Sequence, residues 1–184
     1  MRMKTVRKSP FVASLLAFTF AGGQVLAGSN VVPTCSGHTV ESGGNIGSVL
    51  SGFTVCVGSN PTSPPATSAN WENQEFHSGG SITDWKRGNS SKTDPTIAVG
   101  TYTLGTGSQA GTSGKAGDTW IYDTVQYKYG SGPAGSLYMV ALNSGDLYYC
   151  LTNFSTSNGG SATLDYKGLQ KSGQVGCPGN FNGD

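Results

Sequence analysis

The residues best suited to chemistry in this 184-residue chain are a histidine and two carboxylates close together, Glu75, His77 and Asp84. Side chains two residues apart on a β-strand point the same way, so Glu75 and His77 would share one face. A hairpin turn at Gly79-Gly80 would bring Asp84 back beside them. Such a cluster could hold a metal or act in acid–base catalysis. The alternative is a hydrogen-bonded polar group on the solvated face of a sheet.

Other catalytic arrangements are missing from the sequence. It contains no G-x-S-x-G nucleophile motif, and its two histidines are His38 and His77. The cysteines have neither C-x-x-C spacing nor a histidine at zinc-ligand spacing. We therefore expect no cofactor, no metal and a non-enzymatic role. The alternative is a hydrolase or metal-dependent enzyme centred on Glu75, His77 and Asp84.

Aromatic side chains are the second resource for binding. Trp120 and Tyr122 share one face of a predicted strand, opposite the face that carries Val125 and Tyr127. On an extracellular β-scaffold, exposed rings commonly contact sugars or proteins, although packing in the core is the alternative for each of them. The predicted ligand-binding residues are Trp71, Trp85, Trp120 and Tyr122.

Four cysteines, Cys35, Cys56, Cys150 and Cys177, indicate two disulfides in a secreted domain, with three possible connectivities. We predict the pair Cys56–Cys150, because both residues lie in strand-like segments. The pair Cys35–Cys177 would then join the two ends of the domain. Each bridge would close a loop of about 100 residues or more.

Residues 1–27 have the pattern of a secretory signal peptide. Four basic residues precede a short apolar run, and Val25-Leu26-Ala27 supplies small residues at a cleavage site. The expected location is secreted, periplasmic or at the cell surface, and no second apolar segment is long enough to span a membrane. Without the leader, the chain has seven basic and ten acidic side chains, and its net charge is −3. This balance argues against a nucleic-acid partner.

The elements that must position these residues are predicted to be strands. The chain is rich in Gly, Ser, Thr and Tyr and poor in straight-chain helix formers. We expect an all-β fold of seven or eight strands without a helix. This antiparallel meander would form a small up-and-down barrel rather than a sandwich. The predicted organisation is a polar lead-in (28–47), one β domain (48–177) with a glycine-rich flexible connection (105–117), and a tail (178–184).

The run from Trp71 to Tyr102 contains Trp71, Glu75, His77, Gly79-Gly80, Asp84, Lys86, Gly88, Asp94-Pro95 and Val99-Gly100-Thr101-Tyr102. With these residues it resembles small secreted bacterial β-proteins of unassigned function, and this resemblance implies no activity.

From the residues themselves we expect an extracellular β-domain that binds a ligand or partner or builds a surface fibre. Its partner would be an extracellular protein, a carbohydrate or another copy of itself.

Overall fold

The structure is a computed structural model that describes residues 28–58, 71–84, 97–111 and 118–177. The predicted leader and the tail 178–184 lie outside these ranges, as does Trp85. In chain order the elements are β1 (Asn30–Val31), β2 (Thr34–Cys35), β3 (His38–Thr39), α1 (Ile46–Leu50), β4 (Phe53–Gly58), β5 (Trp71–Ser78), β6 (Ser81–Asp84), β7 (Ile97–Ala110), β8 (Thr119–Tyr129), β9 (Leu137–Asn143), β10 (Asp146–Leu151), a 3-10 turn (Thr156–Asn158), β11 (Ser161–Ala162) and β12 (Leu164–Ser172).

Eight of the described strands pair around a closed circuit, in the order β4-β5-β6-β7-β8-β9-β10-β12. Every neighbouring pair in it is antiparallel, and β12 returns to pair with β4. The predicted all-β, antiparallel meander is therefore confirmed. In the described part of the chain, no helix is both long and apolar enough to cross a bilayer.

Alternate positions of each strand fill the interior of the circuit, as the period of two in a strand requires. In β8, Val125 and Tyr127 face inward, whereas Trp120 and Tyr122 face outward. The two faces of β8 predicted from this alternation therefore belong to two different buried clusters. The inner cluster consists of Ile46, Val49, Leu50, Val55, Ile82, Tyr102, Val125, Tyr127, Val140, Leu147 and Tyr149.

One end of the barrel is closed by α1, whose apolar side chains belong to the inner cluster. The buried carboxylate of Asp123 in β8 accepts hydrogen bonds from the backbone N–H groups of Gly44 (2.9 Å) and Ile46 (3.0 Å). The expectation of a fold without a helix is wrong at this point. Five residues are too few to show a helical period, and the next strand begins only after the helix, at Phe53.

A second layer covers the outer face of β8, β9 and β10. The segment 28–47 contributes β1, which pairs in parallel with β8. It also contributes β2 and β3, which form a small sheet with β11 from the later part of the chain. Beneath this layer lies the outer cluster, built of Cys35, Val40, Trp120, Tyr122, Met139, Ala141, Tyr148, Cys150, Phe154 and Ala162. The predicted lead-in is therefore part of the packed domain.

The two disulfides join Cys35 to Cys150 and Cys56 to Cys177, so the predicted pairing is wrong. Cys56 lies on β4 and Cys150 on β10, and β12 runs between those strands. Strands two apart are separated by roughly 10 Å, whereas a disulfide needs Cα atoms within about 7 Å. The observed Cα separations are 5.7 and 5.8 Å. Two disulfides suggest an oxidising compartment, extracellular or periplasmic.

The first half of the predicted flexible connection is ordered strand, because β7 continues to Ala110. Gly107 lies opposite Tyr122 in the β7–β8 ladder, and a β-carbon there would overlap the Tyr122 ring. At Gly111 a β-carbon would overlap the indole of Trp120 in the same way. These glycines make room for aromatic rings that lie across the neighbouring strand. Glycine content is therefore a misleading sign of flexibility here.

Candidate functional site

A cavity of about 350 Å³ lies inside the barrel, at the end away from α1. This volume is within the range of small-molecule sites, and an eight-stranded barrel is wide enough to hold one small ligand. Loop residues after β8 form part of its rim. The cavity is lined by Val55, Val57, Glu75, Tyr127, Tyr129, Pro133, Gly135, Ser136, Tyr138, Tyr149 and Tyr166.

Tyrosine rings on four strands make up much of the cavity wall. Tyr149 and Tyr166 are directly opposite each other in the β10–β12 ladder, and their rings stack with centroids 4.2 Å apart and 13° between planes. Tyr138 packs edge-on against Tyr166 at 5.2 Å. The Tyr127 and Tyr149 hydroxyl oxygens are 3.2 Å apart. Cross-strand pairing therefore fixes the rings relative to one another.

The cavity tyrosines stay neutral at physiological pH. Burial raises the pKa of Tyr127 and of Tyr166 well above the ordinary value of 10.0. It also raises the pKa of Tyr149. Each of these hydroxyl groups thus remains a phenol, able both to donate and to accept a hydrogen bond.

Glu75 places a carboxylate in the wall of this largely aromatic cavity. It lies on β5, is 7% exposed, and accepts a 2.8 Å hydrogen bond from the Tyr129 hydroxyl. Burial raises the pKa of Tyr129, and the nearby negative charge of Glu75 raises it further. Tyr129 is the most exposed tyrosine of the wall, at 45%. Glu75 and Tyr129 therefore form a polar position near the open end of the cavity.

His77 lies on the same face of β5, deeper in the barrel and fully buried. Its ring packs edge-on against Tyr102 at 5.1 Å and Tyr127 at 5.5 Å. In the described part of the chain neither ring nitrogen has a hydrogen-bond partner; Nε2 is 4.0 Å from a Glu75 carboxylate oxygen. Burial lowers the pKa of His77 to about 4, so the ring is neutral at pH 7.

The structure brings the backbones of the predicted trio together. Asp84 is opposite Glu75 in the β5–β6 ladder, although its side chain lies outside what the structure describes. Glu75 and His77 point into the barrel, not to a solvated sheet face. Over residues 28–58, 71–84, 97–111 and 118–177, no group of three or more His, Cys, Asp or Glu residues is placed to hold a metal ion.

The predicted aromatic ligand contacts lie away from the cavity where the structure describes them. Trp120 and Tyr122 are 3% and 8% exposed in the outer cluster, and both pack edge-on against Phe154, at 5.9 and 5.5 Å. Their observed contacts are those of core residues. The side chains of Trp71 and Trp85 lie outside the described part of the chain.

Sequence reasoning missed the five cavity tyrosines as a set. The alternation in residues 119–129 does place Tyr127 and Tyr129 on one face with Val125. Nothing in the local pattern shows that Tyr138, Tyr149 and Tyr166 would meet them, because that depends on closure of the barrel through β12.

The chain matches no family model, no curated protein and no solved structure. Its function therefore has to be inferred from the geometry of the cavity.

Proposed function

We propose that this is a non-enzymatic, secreted or periplasmic protein that binds one small molecule inside its barrel. The observation that carries the proposal is the cavity of about 350 Å³ among five tyrosines. Protein interiors are close-packed, and small barrels usually fill their interior with side chains. In this barrel α1 fills one end, whereas the other end contains an unfilled cavity. This arrangement favours a ligand site.

The chemistry of the wall supports binding rather than catalysis. Its surface is mostly aromatic ring and valine, with polar atoms from phenol hydroxyls, Ser136 and Glu75. A few fixed polar groups in an apolar pocket are typical of sites that orient a ligand. None of the described lining residues is a histidine or a cysteine, so Ser136 has no adjacent histidine base within the wall.

The scaffold around the cavity is constrained before any ligand arrives. The strand ladder closes on itself, two disulfides fasten its covering segments, and Asp123 fixes the chain entering α1. A preorganised site loses little conformational entropy on binding. This rigidity favours a protein that retains a small molecule without a large change of shape.

Occupation of the cavity can be tested with N-phenyl-1-naphthylamine, an uncharged dye that fluoresces in apolar surroundings. We expect saturable binding of one dye per chain. Val57→Trp places an indole in the cavity wall and should weaken dye binding by about tenfold or more, because the space is then filled. Val175→Trp, at a residue 40% exposed and outside the cavity, is the matched control and should bind as the wild type does.

Circular dichroism and thermal unfolding would establish that both variants are folded. Dye binding that is equally strong in folded Val57→Trp and Val175→Trp would contradict the proposal. Absence of saturable binding to the wild-type protein would contradict it as well.

A further inference from the structure

The charge of the cavity wall has one sign. Among the described lining residues Glu75 is the one acidic side chain, and none is basic. His77, next to it and deeper, is neutral at pH 7 because burial lowers its pKa to about 4. A carboxylate acts more strongly on a ligand in a partly dry cavity than in water, since the local dielectric constant is lower. The wall therefore attracts cations and repels anions.

The tyrosine rings add to this preference. A cation near the face of an aromatic ring, within about 6 Å of its centroid, is attracted by the electrons of the ring. Tyr149 and Tyr166 stack in parallel, and Tyr138 stands edge-on to both. Groups of aromatic side chains of this kind recognise ammonium ligands. The rings also offer an apolar surface to the uncharged part of a ligand.

We infer that the cavity selects a small organic cation, an amine whose ammonium group lies against Glu75 and whose apolar body lies among Tyr138, Tyr149 and Tyr166. This inference rests on the proposed function of the cavity as a binding site. It names the class of ligand: a protonated primary or substituted amine on an aromatic or aliphatic body. An uncharged ligand of the same shape would bind more weakly, and a carboxylate of similar size more weakly still.

Three probes of similar size separate these cases: 2-phenylethylamine, 2-phenylethanol and phenylacetate. Each would compete with N-phenyl-1-naphthylamine for the full-length, disulfide-bonded protein at pH 7. We expect the amine to displace the dye at a concentration about tenfold lower than the alcohol does, or lower still. A tenfold difference in affinity corresponds to the free energy of one charge-assisted hydrogen bond. Phenylacetate should be the weakest competitor.

Glu75→Gln removes the charge and keeps the shape of the side chain. It should reduce the preference for the amine over the alcohol to about threefold or less while the uncharged dye still binds. Asp146→Asn makes the same change of charge at the β9–β10 turn. The neighbouring Gly145 carbonyl oxygen accepts from the Gln170 backbone N–H, and the Gln170 side-chain amide donates to the Val49 carbonyl oxygen in α1. That control lies at the closed end of the barrel and should keep the wild-type preference.

The outcomes distinguish the two proposals. If the dye binds and the amine and alcohol compete equally in the wild-type protein, the inference about cations is wrong while the binding site stands. The inference about cations is equally wrong if folded Glu75→Gln keeps the wild-type preference. If the dye does not bind the wild-type protein, the proposed function itself fails. Because the wild-type ratio of amine to alcohol is decisive, the test does not depend on Glu75→Gln folding.

Discussion

Replacing Cys35 and Cys150 together with alanine is expected to lower the free energy of unfolding by about 4–5 kcal/mol. The disulfide joins residues 115 apart in sequence, so it removes a large amount of conformational freedom from the unfolded chain. Both sulfurs are also fully buried in the outer cluster, beneath the layer that covers β8 to β10. Replacing them would leave a cavity in a packed region and would also remove the restriction on the unfolded chain.

The pair Cys56 and Cys177 is the matched comparison, with a sequence separation of 121. Its loop entropy is similar, but in the described part of the chain the apolar cluster around Cys177 contains only Cys56 and Leu169, with one further hydrogen bond from the Cys177 backbone N–H to the Gln74 side chain. Without the bridge the segment after β12 can detach locally, and the conformational entropy of the detached segment partly offsets the loss of stability. We therefore expect a smaller decrease in the free energy of unfolding, about 3 kcal/mol. Urea unfolding of both double variants measures the two values. A loss below about 1 kcal/mol for Cys35/Cys150, or the reverse order, would contradict this account of the packing.

Acidification is expected to remove about 3 kcal/mol of stability through His77 alone. The folded protein holds the pKa of this histidine at about 4, against an ordinary value of 6.5. Between these two values the unfolded chain binds a proton that the folded protein does not, so stability falls as the pH falls. The contribution is fully present above about pH 6.5 and is lost below about pH 4.

His77→Phe isolates this effect, because it keeps a ring against Tyr102 and Tyr127 and removes the titrating group. Urea unfolding from pH 7.5 to pH 4 should show a shallower loss of stability in His77→Phe than in the wild type. Carboxylates also titrate in this range, so the informative quantity is the difference between the two curves. Parallel curves for wild type and His77→Phe would contradict a buried, neutral His77.

Much of the fold follows from local patterns in the sequence. The period of two in residues 119–129 predicts β8 with its boundaries and both of its faces. The hairpin at Ser144-Gly145 is signalled by the run of turn-forming residues Asn143-Ser144-Gly145-Asp146, and both central residues have positive φ, at 53° and 90°. Such features depend on a few neighbouring residues, so a single sequence contains them. No such local signal marks α1, because it is held by burial of its apolar side chains in the inner cluster and by the carboxylate of Asp123, 77 residues away from Ile46.

The candidate site could be predicted only in part. The period of two in a strand places Glu75 and His77 on one face, yet their surroundings depend on which strands lie across the barrel. The disulfide pairing failed for the same reason: β12 separates β4 from β10, an order that no local pattern contains. Trp120 and Tyr122 were ambiguous because both faces of β8 are covered, one by the barrel interior and one by the segment 28–47.

The central claim, that a ligand lies among the cavity tyrosines, is tested most directly by nuclear magnetic resonance of protein with ¹³C-labelled tyrosine rings. The chain has eight tyrosines, and five of them line the cavity. On titration with N-phenyl-1-naphthylamine, we predict saturable shifts of the rings of Tyr129, Tyr138 and Tyr166. The rings of Tyr122 and Tyr148, in the outer cluster, should remain unchanged. Shifts confined to Tyr122 and Tyr148, or bound dye that leaves all the cavity rings unshifted, would contradict the claim.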